Sequence, residues 1–335
     1  YYTKNNNAWL RYFAQISPHT DIDESLEKII NSGGNFIQKI DDLYTLQQEN
    51  LPFDEKSTAS DSQTLNKTAT SKWIGGVESI KAQIEEREIQ KLVLARKIDI
   101  SLPETPHLVD ILEYLRTEYR NCTTLMMRVN AETVFVASTP EHIVSLNNKN
   151  ISTESLAGSS SRGEEIVADQ KNKYGLLSSE KNLNEHRIVR DDILCQLEGL
   201  VEKLSFPKTP NVKQLANVQH LFTPIEGMLK NGTDVFTILS RLHPTPAVGG
   251  YPRYNIQQMI KKLEKFDRGW YASPVGWVDE HGNAEFVVAI RCGYISKRSA
   301  QLFAGCGIVG ESNAQKEWDE TNLKFMPLLN AIKEN

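Results

Sequence analysis

Three strand-like runs, Trp270 to Val278, Glu285 to Tyr294 and Ala300 to Ala304, follow one another with only the turns His281-Gly282-Asn283 and Lys297-Arg298 between them. Connections this short reverse a chain but cannot carry the crossover helix that a parallel pair needs, so these strands must pair antiparallel. Two further short strands, Thr133 to Ala137 and His142 to Leu146, bracket Ser138-Thr139-Pro140-Glu141, and Asn147-Asn148-Lys149-Asn150 turns the chain into Ile151 to Leu156. With helical patterns elsewhere, the expectation is an α+β fold rather than a parallel α/β sheet.

The remaining elements follow from apolar spacing. Val77, Ile80 and Ile84 recur at helical intervals, and Lys91 to Ile100 reads as a strand with Leu92, Leu94, Ile98 and Ile100 on one face. A long helix is expected from Ser179 to Leu204, on an apolar stripe of Ile188, Ile193, Leu197, Leu200, Val201 and Leu204. Val218 to Phe222 is strand-like, and helices are expected over Asp234 to Leu242 and Tyr254 to Phe266, separated by the proline-rich loop His243 to Gly250. Asp54 to Lys72 is polar and reads as a loop or linker, which divides the chain into a segment 1–72 and an ordered domain 73–335. No internal repeat is visible.

Composition narrows the class. A chain of 335 residues, 39% hydrophobic, can bury a large core. The net charge of −5, with both signs well mixed, offers no basic stripe for nucleic acid and no polybasic segment for a membrane surface. Cys122, Cys195, Cys292 and Cys306 are far apart without a Cys-x-x-Cys, which argues against a zinc knuckle or a disulfide framework and for a reducing cytoplasm. No apolar run reaches the roughly 18 residues of a membrane helix, and Tyr1-Tyr2-Thr3-Lys4 does not open a signal peptide. The chain does not begin with Met and reads as trimmed at its N-terminus.

The residues that carry chemistry concentrate near the C-terminus. Arg291, the glycine loop Gly305-Cys306-Gly307-Ile308-Val309-Gly310, and a helix bearing Glu317, Glu320 and Lys324 together suit a small dianion held through a divalent metal. The glycine spacing also satisfies a dinucleotide fingerprint, but the chain ends within the following helix, without the second strand and acidic residue a Rossmann unit requires. Two plainer readings stay open: a glycine-rich turn, and a solvated helix face with an ordinary Glu320–Lys324 pair. Taken alone, Lys91 is equally a solvated lysine guarding a strand edge, and Glu141 a turn residue after Pro140.

The motifs then resemble one family. Gln90 to Arg96, Ser138-Thr139-Pro140-Glu141, Glu154-Ser155-Leu156-Ala157-Gly158-Ser159, Glu180 to His186, Val218-Gln219-His220-Leu221, Leu242 to Gly250 and Glu317-Trp318-Asp319-Glu320-Thr321 look like the chorismate-utilising enzymes, and within them the isochorismate synthases. The resemblance runs in the family's order from Trp73 to the C-terminus, with residues 1–72 adding little. It implies one α+β domain of two large, mainly antiparallel sheets, with helices packed outside and the site between the sheets. Relative to the family the N-terminal part reads as short, so its first strands are expected to lie outside this sequence.

By the same resemblance, water adds at C2 of chorismate while the C4 hydroxyl leaves from the opposite face, which needs one general base and one general acid. Lys91 matches the family's base and Glu141 its acid; both need an environment unlike bulk water to work near neutral pH. Magnesium, Mg2+, is expected on Glu185 and Glu320, with Glu317 direct or through water. Arg291 is expected to take the enolpyruvyl carboxylate, Lys324 to balance carboxylate charge and His220 to lie beside the ring. Gly158, Ser159, Ala247 and Gly305 would line the pocket closely. His186 and His243 are left out of the site.

Related chemistries separate at single positions. Anthranilate synthases typically carry Gln at the position of Lys91, and aminodeoxychorismate synthases a lysine at the position of Ala157, so both are disfavoured. Salicylate synthases share the lysine base and eliminate pyruvate from isochorismate; they are the alternative, disfavoured by the proline loop Leu242 to Ala247. Departures from relatives are Asn182, where some carry an acid near the metal, and Ser159, where many carry threonine. A non-catalytic binder of a cyclic dicarboxylate is the alternative of another class, but a binder does not need an acid and a base in addition to anchors. Whether the product would serve menaquinone or a siderophore, and whether the protein is monomeric, is left open by the sequence.

Overall fold

A computed structural model describes residues 2–4, 7–9 and 63–333. It divides the chain into two units, Tyr1–Asp61 and Ser62–Asn335. In the first, strands β1 (Tyr2–Lys4) and β2 (Asn7–Trp9) pair antiparallel.

The second unit opens with helix α1 (Gln63–Glu85), so residues 63–72, expected in a polar loop, are helical; residues 54–62 of that expected loop lie outside the described residues. Trp73, Val77 and Ile80 are buried on one face of α1, against Leu92 and Leu94. Strand β3 (Lys91–Ser101) follows, then α2 (Leu108–Glu118), β4 (Thr123–Arg128), β5 (Val134–Thr139), β6 (His142–Asn147) and β7 (Asn150–Ser161). Next come α3 (Ile166–Ser178), α4 (Glu180–Leu197), β8 (Val201–Ser205), β9 (Asn211–Gln214) and β10 (Val218–Leu229). The chain finishes with α5 (Val235–Leu242), β11 (Gly250–Tyr251), α6 (Ile256–Glu264), β12 (Pro274–Val278), β13 (Ala284–Val288), β14 (Cys292–Ser296), β15 (Ser299–Ile308) and α7 (Ala314–Lys333).

Two sheets result, antiparallel at every pairing. One has the order β11-β3-β15-β14-β5-β4; the other runs β12-β13-β6-β7-β10-β8, with β9 also on β10. Phe135, Ala137 and Phe303 of the first share a core with Val144, Ile151, Ile225 and Val288 of the second, and α4 adds Val189, Ile193 and Leu197 to it. The α+β architecture expected from the sequence is therefore the one adopted.

Three expectations are corrected. The helix expected over Ser179 to Leu204 ends at Leu197, because Gly199 takes φ +82° and turns the chain into β8, which holds Val201 and Leu204. Ser179 caps its start, its side chain accepting from the Asn182 amide. The strand expected over Glu285 to Tyr294 is two strands in different sheets, β13 and β14, joined through Ala289-Ile290-Arg291, with Arg291 at φ +50°. The third concerns the glycine loop, since Gly305 and Gly307 lie inside β15 and pair with Ala95 and Val93.

The crossing at Arg291 has a counterpart. The chain also passes from the first sheet to the second between β5 and β6, through Pro140-Glu141. The two crossings are tied together: the Ser138 amide donates to the Arg291 carbonyl at 3.1 Å, and the Val288 amide to the Glu141 carbonyl at 3.1 Å. An arginine and a glutamate are thereby fixed at the seam between the sheets.

Candidate active site

A cavity opens at this seam, lined by Glu141, Ser159, Glu185, His220, Arg291 and Lys324 among others. Gly158, Ala247 and Gly305 also lie on its wall, so nine of the twelve residues expected in the site meet here; of the other three, Lys91 stands just behind the wall, and Glu317 and Glu320 lie beside it. A wider neighbouring cavity of about 420 Å³ shares Ser159 and Lys324 and is lined by Lys181, Asn182, Glu317 and Glu320.

Lys91 is the first residue of β3, but β11 covers that end of the strand and the lysine side chain is only 1% exposed. A solvated edge lysine is thus excluded. Its Nζ pairs with Glu185 Oε1 at 3.0 Å. Strand alternation puts Val93 on the same face, and on the paired strand Gly305 and Gly307 face the same way. A Cβ at Gly307 would collide with Glu185 Oε1 and Lys91 Cε; one at Gly305 would lie 2.6 Å from the Tyr271 hydroxyl and 2.9 Å from the Leu94 carbonyl. These glycines make room for side chains packed across a strand, which is their role in place of a loop.

Glu141 is buried at the first crossing. Burial, reinforced by Glu154, raises its carboxyl to about 7 against the pull of Lys91, Arg291 and Lys324. The crossing is braced from behind: Lys213 Nζ donates to the Pro140 carbonyl at 2.7 Å and to Glu154 Oε1 at 3.0 Å, and Glu154 Oε1 accepts from the His142 amide at 3.2 Å.

Arg291 and His220 form a second unit. Arg291 NH2 lies 3.3 Å from His220 Nε2, and Ser159 Oγ 3.0 Å from His220 Nδ1. A guanidinium only donates, so Nε2 accepts and the ring proton sits on Nδ1, directed at Ser159. Burial, together with Arg291 and Lys324, holds the imidazole well below its ordinary pKa, so it is neutral. His186 is occupied elsewhere, with Nδ1 3.3 Å from the Ala157 carbonyl and Nε2 2.7 Å from Thr223 Oγ1.

The carboxylates Glu185 and Glu317 are buried, Glu320 is half-buried, and each is matched with lysine. Lys181 Nζ lies 3.4 Å from Glu185 Oε2 and 2.9 Å from Glu317 Oε1, and Lys324 Nζ lies 2.6 Å from Glu320 Oε1 while donating to the Gly305 carbonyl at 2.9 Å. Burial opposes ionisation of Glu320, but Lys324 and Lys181 outweigh it and hold the carboxyl at about 2. Burial and the charge of Glu320 raise Glu317 despite Lys181, and Glu317 Oε2 is buried without a hydrogen-bond partner. Among the described residues no three carboxylate, histidine or cysteine side chains form a ready cation cage. The donor set nonetheless suits a hard cation: all oxygen, three carboxylates from two helices, one oxygen unsatisfied.

Two participants were missed from the sequence. Lys181 belongs to a quoted motif but reaches a glutamate on α7 that spacing cannot associate with it. Tyr271 lines the cavity and stacks on Phe303 with centroids 5.5 Å apart. Of the remaining expectations, the Glu320–Lys324 pair is present but largely shielded from solvent, its side chains 18% and 10% exposed, not a solvated helix face.

Two antiparallel sheets joined by paired crossings, with a lysine, a perturbed glutamate and three helical carboxylates at the seam, define the class. The chain belongs to the chorismate-binding enzymes: the family model described as "Chorismate binding enzyme" matches residues 1–333. Among curated relatives, the chain is 36% identical over 260 residues to isochorismate synthase MenF of Bacillus subtilis, covering 78% of this chain and 55% of that one. It is also 36% identical over 260 residues to the salicylate biosynthesis isochorismate synthase of Pseudomonas aeruginosa, covering 78% of this chain and 54% of that one. The crystal structure described as a putative 2,3-dihydroxybenzoate-specific isochorismate synthase, DhbC from Bacillus anthracis, superposes with a TM-score of 0.76 at 31% identity, covering 79% of this chain and 72% of that one. The chain spans about half the length of these two curated relatives.

Proposed function

We propose that this chain interconverts chorismate and isochorismate, with Lys91 as base and Glu141 as acid. The observation that carries this is the pair itself: a fully buried lysine just behind the cavity wall, and on that wall, from a different element, a carboxyl raised to about 7. An acid must still hold its proton at working pH, and a carboxyl near neutrality does so where a solvated one does not. In the forward direction Lys91 Nζ takes a proton from the water that attacks C2. The ring double bonds shift, and Glu141 gives its proton to the departing C4 hydroxyl, so one water enters and one leaves. In reverse the two exchange roles.

Arg291 takes the enolpyruvyl carboxylate, and neutral His220, fixed through Ser159, orients the guanidinium without adding charge. With both ring nitrogens so engaged, His220 positions Arg291. Gly158, Ser159, Ala247 and Gly305 admit the flat ring closely. Glu185 and Glu320, with Glu317, would hold Mg2+; when bound, the ion would neutralise the ring carboxylate of the substrate. Residence in the cytoplasm agrees with four free cysteines, and no described helix is long and apolar enough to cross a membrane.

The test is incubation with chorismate and Mg2+, following isochorismate by chromatography and mass, and pyruvate with a coupled dehydrogenase. A mixture of chorismate and isochorismate reached from either side is expected. Stoichiometric pyruvate with salicylate would replace this reading with salicylate synthesis, and anthranilate on adding ammonia would replace both. Binding without turnover would leave a cyclic-dicarboxylate binder.

A further inference from the structure

Of the lysines that face the three clustered glutamates, one differs from the others. Lys91 is enclosed, with its side chain 1% exposed, and Lys324 is anchored on the Gly305 carbonyl and 10% exposed. Lys181 is 19% exposed, makes no hydrogen bond to backbone among the described residues, and lines the wider cavity along with Glu311 and Asp319. Its ammonium nevertheless sits inward, 2.9 Å from Glu317 Oε1 and 3.4 Å from Glu185 Oε2, in contact with carboxylates of both helices at once. Beside it, Glu317 Oε2 is buried and unpartnered.

A cation that bridges Glu185 and Glu317 would have to approach the same oxygens that Lys181 now holds. Two cations cannot share oxygens at such distances in a buried site without strong repulsion. Lys181 also has somewhere to go, since its long side chain can swing about its own torsions into the wider cavity, where Glu311 and Asp319 supply new partners.

We propose that Lys181 is a built-in competitor of the metal: its ammonium stands in for the cation among Glu185, Glu317 and Glu320 and swings into the wider cavity when a divalent ion binds. This rests on the reading of those glutamates as the metal site. Lys181 is then a positioning residue that keeps the carboxylates gathered while no metal is bound, and it lowers apparent metal affinity by the fraction of time it occupies the site.

Calorimetric titration of the substrate-free protein with MgCl2 tests this without turnover. If the ammonium occupies the site about nine-tenths of the time, Lys181→Met should bind Mg2+ about tenfold more tightly than the parent. Lys181→Arg, which restores the charge, should bring affinity back toward the parent. Melting followed by circular dichroism supplies a second readout: Mg2+ should raise the midpoint of Lys181→Met, and of Lys181→Gln, more than that of the parent. Equal or weaker Mg2+ binding by Lys181→Met, with the parent's binding abolished by Glu320→Ala, would overturn the competitor while leaving the metal site standing. Absence of Mg2+ binding in both parent and Lys181→Met would overturn the metal site and the competitor together.

Discussion

Lys91 Nζ lies 3.0 Å from Glu185 Oε1, so the proposed base and a proposed metal ligand are a single buried ion pair. Gly307 backs both partners from the neighbouring strand. Gly307→Ala should therefore push the pair apart although the new methyl need not touch substrate. A misplacement of about 1 Å in such a site costs on the order of a hundredfold in rate. Turnover should fall by that order in Gly307→Ala while the purified protein keeps a cooperative melt; parent-like turnover would show that the pair does not matter.

Lys91→Ala and Glu141→Gln should each lower turnover by at least about a hundredfold, the usual scale for removing an acid or a base. Equilibrium binding of chorismate, followed by calorimetry, should survive in both. A variant that turns over near the parent rate removes its residue from the proposed role.

Glu141 also sets a pH dependence. Because its carboxyl is raised to about 7 in the folded chain, the acid form is lost as pH rises through that value, and the forward rate should decline above it. The stability sign is the same. Between the unfolded carboxyl's ordinary pKa and about 7 the folded state holds the extra proton, so folding is favoured at the acid end of that window and loses this contribution as pH rises. Glu141→Gln should thus melt higher than the parent at pH about 8 and gain less at pH about 5, a difference readable by circular dichroism.

The brace behind Glu141 makes a separate expectation. Glu154 helps hold the Glu141 carboxyl up, so Glu154→Gln should move the alkaline limb of the rate profile to lower pH. Lys213→Met removes the donor to the Pro140 carbonyl and leaves Glu154 without its ammonium. It should lower turnover, with Lys213→Arg recovering part of the loss. An unchanged profile in Glu154→Gln would detach Glu154 from the acid.

Metal removal separates the carboxylates from the acid and base. Activity should vanish in excess chelator and return with Mg2+, and Glu185→Ala or Glu320→Ala should need far more Mg2+ for the same rate, since each deletes a hard oxygen ligand. Full activity in excess chelator would end the metal reading.

Much of this was legible before the fold was known, and the exceptions share a cause. The strand at Lys91, the short strands about Glu141 and the helix with Glu317 and Glu320 follow from local periodicity, and they formed as expected. Where the reading failed, one segment served two tertiary partners. The apolar run from Phe286 to Ile290 resumes at Cys292 and carries no turn residue to mark a break, yet the chain changes sheets at Arg291, an event that local composition cannot register. Gly305 and Gly307 looked like a loop because nothing local shows that Tyr271, Lys91 and Glu185 will occupy the space they leave. Lys181 escaped notice because its partner Glu317 lies on another helix far along the chain.

The central claim is that water, activated by Lys91, supplies the oxygen at C2 while Glu141 releases the one at C4. Converting chorismate in H2(18)O and analysing the isochorismate by mass spectrometry tests it most directly. The expected result is one heavy oxygen per isochorismate, at C2, with no enzyme-dependent pyruvate, and loss of labelled product in both Lys91→Ala and Glu141→Gln. Isochorismate formed at the parent rate without heavy oxygen would contradict the account, because the hydroxyl would then have migrated within the substrate.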